Sequence, residues 1–145
     1  MLDRKILNKK YKTAKFLIEK ERLVLFAKAT GQTDPIYLDE VKAKARGYPT
    51  IIAPPTFLTV IFHEQNKPFE YLGDLSIDLS KLLHAGQIYK YHKPVFSGDI
   101  ITVEGQIVNI FDKNSGALQF FDFESKYFNQ KSMLVAESLS TLVIR

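Results

Sequence analysis

The apolar positions change their spacing about halfway along the chain. In "KFLIEKERLVLFAKATG" Ile18, Leu23, Leu25, Phe26 and Ala29 recur at helical intervals toward the end of the stretch. Gly31 stands just beyond them, where a helix cap is expected. A second helix is predicted in "APPTFLTVIFHEQN", with Pro54 or Pro55 in its first turn, where a missing N–H breaks no hydrogen bond. Phe57, Leu58, Val60, Ile61 and Phe62 then cover most of its circumference, and a helix apolar nearly all round is a buried one. The second half reads differently. "HAGQIYKYHKPV", "DIITVEGQIVNIF", "ALQFFDFESKYF" and "SMLVAESLSTLVIR" are rich in β-branched and aromatic residues, and "SGD", "DKNSG" and "NQK" separate them with turn formers. Four strands without intervening helices imply an antiparallel sheet, one face of which can close over the buried helix 54–64. The chain thus reads as a single α+β domain over residues 1–145, with no linker, internal repeat or low-complexity tract.

Composition narrows this picture. No run approaches the roughly 20 apolar residues of a membrane span, and the N-terminus lacks the apolar block of a secretory signal. There is no cysteine, hence no disulfide framework and no thiolate nucleophile or ligand. A cytoplasmic location and no contact with membrane are expected. The net charge of +4 is local: residues 1–22 hold eight Lys/Arg against three Asp/Glu, and Lys42, Lys44 and Arg46 form a second basic group. Such a run is either a solvated face or a landing site for an anionic partner, such as a phosphate-bearing cofactor arm or an acidic carrier protein. Nucleic acid is not expected, because the basic residues are not interleaved with an aromatic platform and no helix-turn-helix or zinc spacing is present. His63, His84 and His92 lie 21 and 8 residues apart without paired ligand spacing, so no metal is expected. No Gly-rich phosphate loop is present, and no bound cofactor is expected.

Three segments carry a resemblance: "FAKATGQTDPIYLDEVKAKARGYPTIIAPPTF", "HAGQIYKYHKPVFSGDIITV" and the terminal "STLVIR". Together they resemble the MaoC-like, (R)-specific hydratase/dehydratase group of hot-dog proteins. More narrowly, the chain is similar to its N-terminal, FAS1-like dehydratase branch, which includes the non-catalytic subunit of heterodimeric (3R)-hydroxyacyl-ACP dehydratases of fatty-acid synthesis. The resemblance implies a hot-dog fold, an antiparallel sheet wrapped around a central helix. It implies an acyl-CoA or acyl-ACP thioester as ligand. It also implies a dimer, either of this chain with itself or with a catalytic hot-dog subunit.

Catalytic members of that group carry a motif similar to G-D-x-N-P-(aliphatic)-H. Moving water across a double bond beside a thioester needs such an acid/base pair, and it needs donors on the thioester oxygen as charge develops there. Here the run is Gly31-Gln32-Thr33-Asp34-Pro35-Ile36-Tyr37. Gln32 stands at the Asp position, and an amide is no base at neutral pH. Tyr37 stands at the His position, with a phenol whose reference pKa is about 10. Asp34 occupies the Asn position as a substrate contact or a turn initiator. Active relatives open the central helix with His-Gly, whose backbone N–H polarises the thioester. This chain has Ile52-Ala53-Pro54-Pro55-Thr56, and proline at the glycine position would remove that donor.

The resemblance therefore implies a thioester-binding subunit that lacks its own chemistry, its wall formed by Tyr48, Thr56, Phe57, Phe62 and His84. Phe57 is expected nearer the reactive end of the acyl group and Phe62 deeper, as core. Glu64 is the foothold of a rival thioesterase reading, and Asp34 with Tyr37 that of a stand-alone hydratase. A non-enzymatic acyl-CoA-binding protein is the third alternative. His84 suits a tunnel wall, a subunit seam or a hydrogen-bonded strand start, His63-Glu64 reads as polar helix termination, and His92 as solvent-facing.

Overall fold

Residues 2–11 and 14–145 are described by the structure, a computed structural model. Two short strands come first, β1 (Lys10–Tyr11) and β2 (Lys15–Leu17). β2 takes the opening of the stretch that reads as helical in sequence. Lys15, Phe16 and Leu17 pair antiparallel with Thr102, Ile101 and Ile100. Helix α1 (Lys20–Ala29) starts only after Ile18, whose N–H is taken by the Asp99 carbonyl at 2.8 Å. It buries Leu23 and Ala27 and leaves Leu25 68% exposed. Its end is a Schellman motif, with Gly31 N–H on the Lys28 carbonyl and Gln32 N–H on that of Ala27. Gly31, at φ +72°, takes the left-handed position that a side chain disfavours.

Helix α2 (Glu40–Ala45) follows, capped by the Asp39 carboxylate on the Lys42 N–H, and then α3 (Phe57–His63) and α4 (Glu70–Asp74). Both prolines lie ahead of α3, not in its first turn. Thr56 is the N-cap residue, at φ +70°, and the Phe57 N–H bonds to the Pro54 carbonyl at 3.1 Å.

The strands read from the second half are β3 (Leu82–Tyr91), β4 (Ile100–Lys113), β5 (Leu118–Phe128) and β6 (Leu134–Ile144). All pair antiparallel in the order β1-β4-β5-β6-β3, and β2 also joins β4. The inner face curls over α3. Phe57, Leu58 and Ile61 belong to a core with Ile101, Val103, Tyr127 and Val135. This is the hot-dog architecture, an α+β fold. No helix among the described residues is long and apolar enough to cross a membrane.

The sheet is much longer than its helix. Fourteen residues of strand β4 extend about 46 Å, whereas the seven of α3 rise about 10 Å. The uncovered end is roofed by other segments: Leu2, Tyr71 and Leu75 pack on Ile107, Ile110, Phe121, Phe123 and Leu142. Tyr71 stacks on Phe123 at 4.1 Å between ring centroids. Lys9 Nζ and the Tyr11 hydroxyl both donate to Asp74 Oδ2, at 2.6 and 2.8 Å, and so clasp the N-terminal segment to α4. At the opposite edge β3 has no outer neighbour among the described residues, and it presents Leu83, Ile88 and Tyr91 to solvent.

Candidate functional site

A cavity of about 100 Å³ lies between α3 and the inner face of β3, β5 and β6. Sheet register creates it. Tyr89 lies opposite Ser138, Ser138 opposite Ser125, and Ser125 opposite Gly105. This row is built mostly of small residues, and the next rows carry Phe123 on one side and Tyr127 on the other. The dip left in the sheet is the cavity floor, and Phe62, Phe69 and Tyr71 wall it. Gly105 is obligatory here, because a Cβ at that position would come within 2.5 Å of the Phe123 ring.

The floor is polar and built largely of hydroxyls. The Tyr89 hydroxyl bonds to Thr59 Oγ1, and Ser140 Oγ donates to Gln87 Oε1 at 2.5 Å. His84 Nε2 stands 3.4 Å from the same Gln87 oxygen. Burial raises the phenols of Tyr127 and Tyr89, and lifts that of Tyr71 to about 12, so all three stay protonated at neutral pH. No Asp or Glu lines the cavity.

The residues singled out from sequence separate into three groups. Phe62 and His84 line the cavity. Thr56 lies with Phe26 and Val60 on an open apolar surface along α3. Asp34 and Tyr48 are away from both. Asp34 caps the 3-10 turn Pro35–Tyr37 through the Ile36 N–H at 3.1 Å and accepts two bonds from Arg46, at 2.8 and 2.9 Å. The Ile36 N–H, then Arg46, hold its carboxyl below the usual range, so it is a structural anion. Tyr48 packs its ring beside Phe96. Gln32 and Tyr37 are half-buried, and burial raises the Tyr37 phenol, which makes it a still poorer base.

One expectation is corrected. Phe57 is only 3% exposed and sits edge-on to Phe26 in the core, whereas Phe62 is half-buried and faces the cavity. The helix turns Phe57 toward α1 and the sheet, so the roles expected of the two rings are exchanged. At the helix start an N–H is present: that of Thr56, one residue past Pro55, which donates to the Tyr91 hydroxyl at 2.9 Å. Pro55 itself has no N–H, and this next one along is already occupied. Among the remaining candidates, Glu64 is ion-paired with Arg22, and His63 Nδ1–H donates to the Thr59 carbonyl at 2.7 Å. His92 is exposed and meets Glu137 at 2.8 Å.

Sequence reasoning missed Ser125, Ser138, Ser140, Tyr89 and Tyr127. A signal was present: the inward positions of "FFDFESKYF" run Phe121, Phe123, Ser125, Tyr127, and a serine interrupts an aromatic row.

The FAS1-like dehydratase domain region matches residues 6–138 of the chain. A UPF0336 protein of Streptomyces coelicolor is 32% identical over 99% of this chain and 95% of its own length, and one of Thermobifida fusca 31% identical over 83% and 78%. The fold is shared with the C-terminally truncated HadBC (3R)-hydroxyacyl-ACP dehydratase complex of Mycobacterium tuberculosis (TM-score 0.79, 22% identity, 92% of each chain). It is shared also with the (R)-hydratase of A. caviae involved in PHA biosynthesis (TM-score 0.70, 18% identity, 94% of each chain). With its wrapped helix, its sheet order and this match along most of its length, the chain belongs to the FAS1-like dehydratase domain family.

Proposed function

We propose that the chain is the thioester-binding, non-catalytic half of a hot-dog dehydratase. The complete assembly interconverts (3R)-hydroxyacyl and trans-2-enoyl thioesters carried on coenzyme A or acyl carrier protein. One observation carries this reading: the cavity beside the central helix holds no carboxylate that could pair with a histidine. Removing an α-proton and protonating a leaving hydroxyl needs such a pair at hydrogen-bond reach. The occupied Thr56 N–H supports the same reading, since a donor already held by Tyr91 gives nothing to a developing enolate. The chemistry then comes from a second hot-dog subunit docked along β3, whose free edge offers a row of unpaired backbone groups with apolar side chains beside it.

The test is an assay on crotonyl-CoA with the purified chain alone and together with a hot-dog protein of the same genome that keeps the Asp/His motif. The expected result is background hydration alone and turnover in the mixture. Turnover by the isolated chain that disappears with Asp34→Ala would overturn the proposal in favour of a stand-alone enzyme.

A further inference from the structure

The cavity floor is unusual for a surface meant to hold a hydrocarbon. Ser125 is 2% exposed and Ser138 6%, the two buried polar residues of the core face. Among the described residues one phenol serves both serines: the Tyr127 hydroxyl stands 3.5 Å from Ser138 Oγ and also reaches Ser125. A well-made O–H···O bond is about 2.7–2.8 Å long, so these three hydroxyls leave most of their capacity unused. Ser125, Tyr127 and Ser138 all line the cavity, so that unused capacity faces it. Buried hydroxyls without partners are disfavoured, and a site of this kind is completed by a ligand oxygen or by water.

We infer that the cavity takes the distal part of a short acyl group that carries a hydroxyl or keto oxygen, held by Ser125, Ser138 and Tyr127. This rests on the thioester-binding reading and adds the class of acyl group. Three observations converge on it. The floor donates and accepts through hydroxyls and, among the described residues, neither Lys nor Arg lines the cavity, which suits a neutral oxygen and not a carboxylate. The protonated Tyr127 phenol is a donor, and either serine can donate or accept, so both a carbonyl and a hydroxyl find complementary partners. The volume of about 100 Å³ is smaller than the ~150 Å³ that holds a benzene ring, and has room for roughly four non-hydrogen atoms. Tyr71, stacked on Phe123, closes the far end against a longer tail. A saturated chain in this space would displace water from the hydroxyls and return nothing to them, and sites built to bond an oxygen discriminate strongly against analogues that lack it.

The experiment is calorimetric titration of the whole chain with hexanoyl-CoA and with hexanoyl-CoA hydroxylated at carbon 4, 5 or 6. At least one hydroxylated ligand is expected to bind about tenfold more tightly than hexanoyl-CoA. The Ser125→Ala/Ser138→Ala variant should abolish the preference while still binding hexanoyl-CoA. Should that variant fail to fold by its melting curve, Tyr127→Phe tests the same floor from the third hydroxyl. Equal affinity for all four ligands, or a preference that survives the substitutions, overturns the inference and leaves the floor as a water site. Failure of every thioester to bind overturns the thioester-binding reading as well, so the two failures are distinguishable.

Discussion

Phe57 and Phe62 show how five residues of helix separate packing from binding. About 140° divides them around α3. Phe57 points into the core, so Phe57→Ala is expected to lower stability by about 3–5 kcal/mol in denaturant melts without altering ligand preference. Phe62→Ala should lower it less and open the cavity, shifting acyl-CoA affinity toward longer chains in a length series. The opposite pairing of effects would contradict the assignment. From sequence both were legible as apolar helix positions, but not which one met open space, because that depends on the sheet row facing each. Thr56 was illegible for a related reason. A β-branched residue at φ +70° is a local exception, and only the bond from its N–H to Tyr91, thirty-five residues away, accounts for that geometry.

Among the elements, the four long strands were legible because each is rich in β-branched and aromatic residues and stands between turn formers. β1 and β2 were not: two and three residues carry no period, and both exist through pairing with β4. α2 was hidden among its charges, and those charges position it. Glu40 accepts from Lys20 of α1 at 2.5 Å and lies 2.7 Å from Lys44 of its own helix. Hydrogen bonds from these two lysines hold its carboxyl at about 2, against an ordinary 4.5. A carboxylate with a depressed folded pKa lends stability that is fully present above its unfolded pKa and is lost as pH falls through the folded one. The melting temperature should therefore fall between pH 4.5 and pH 2 more steeply for the native chain than for Glu40→Gln. Parallel slopes would show that the bridge between α1 and α2 contributes nothing. The same pairing changes the view of the basic N-terminal region. Arg4, Lys9, Lys20 and Arg22 are each matched by an acid, which leaves Lys5, Lys10 and Lys15 as the unpaired cations there among the described residues.

At the scale of the whole molecule, one edge of the sheet is closed by β1 and β2 and the other is open. Ile88 stands 65% exposed on that open edge. Lysine on an edge strand opposes further pairing. In sedimentation velocity the native chain should run as a dimer, alone or with its catalytic partner, and Ile88→Lys as a monomer. A dimer that persists in the variant would place the interface elsewhere. Sequence revealed the helix-in-sheet plan but not the second, smaller core at the far end of the strands, because its roof comes from two short segments, residues 2–11 and 69–75, that lie far apart in the chain. That roof has a consequence in time. Leu2 and Tyr11 stand more than a hundred residues ahead of surfaces they cover, which include Phe123 and Leu142. At about 5–20 residues per second, the N-terminal segment waits on the order of ten seconds for its partners to be synthesised. β3 likewise waits for β6, its one neighbour. Neither end of the sheet can therefore close before β6 has been made, and until then Leu2, Tyr71 and Leu75 lack part of the core they complete.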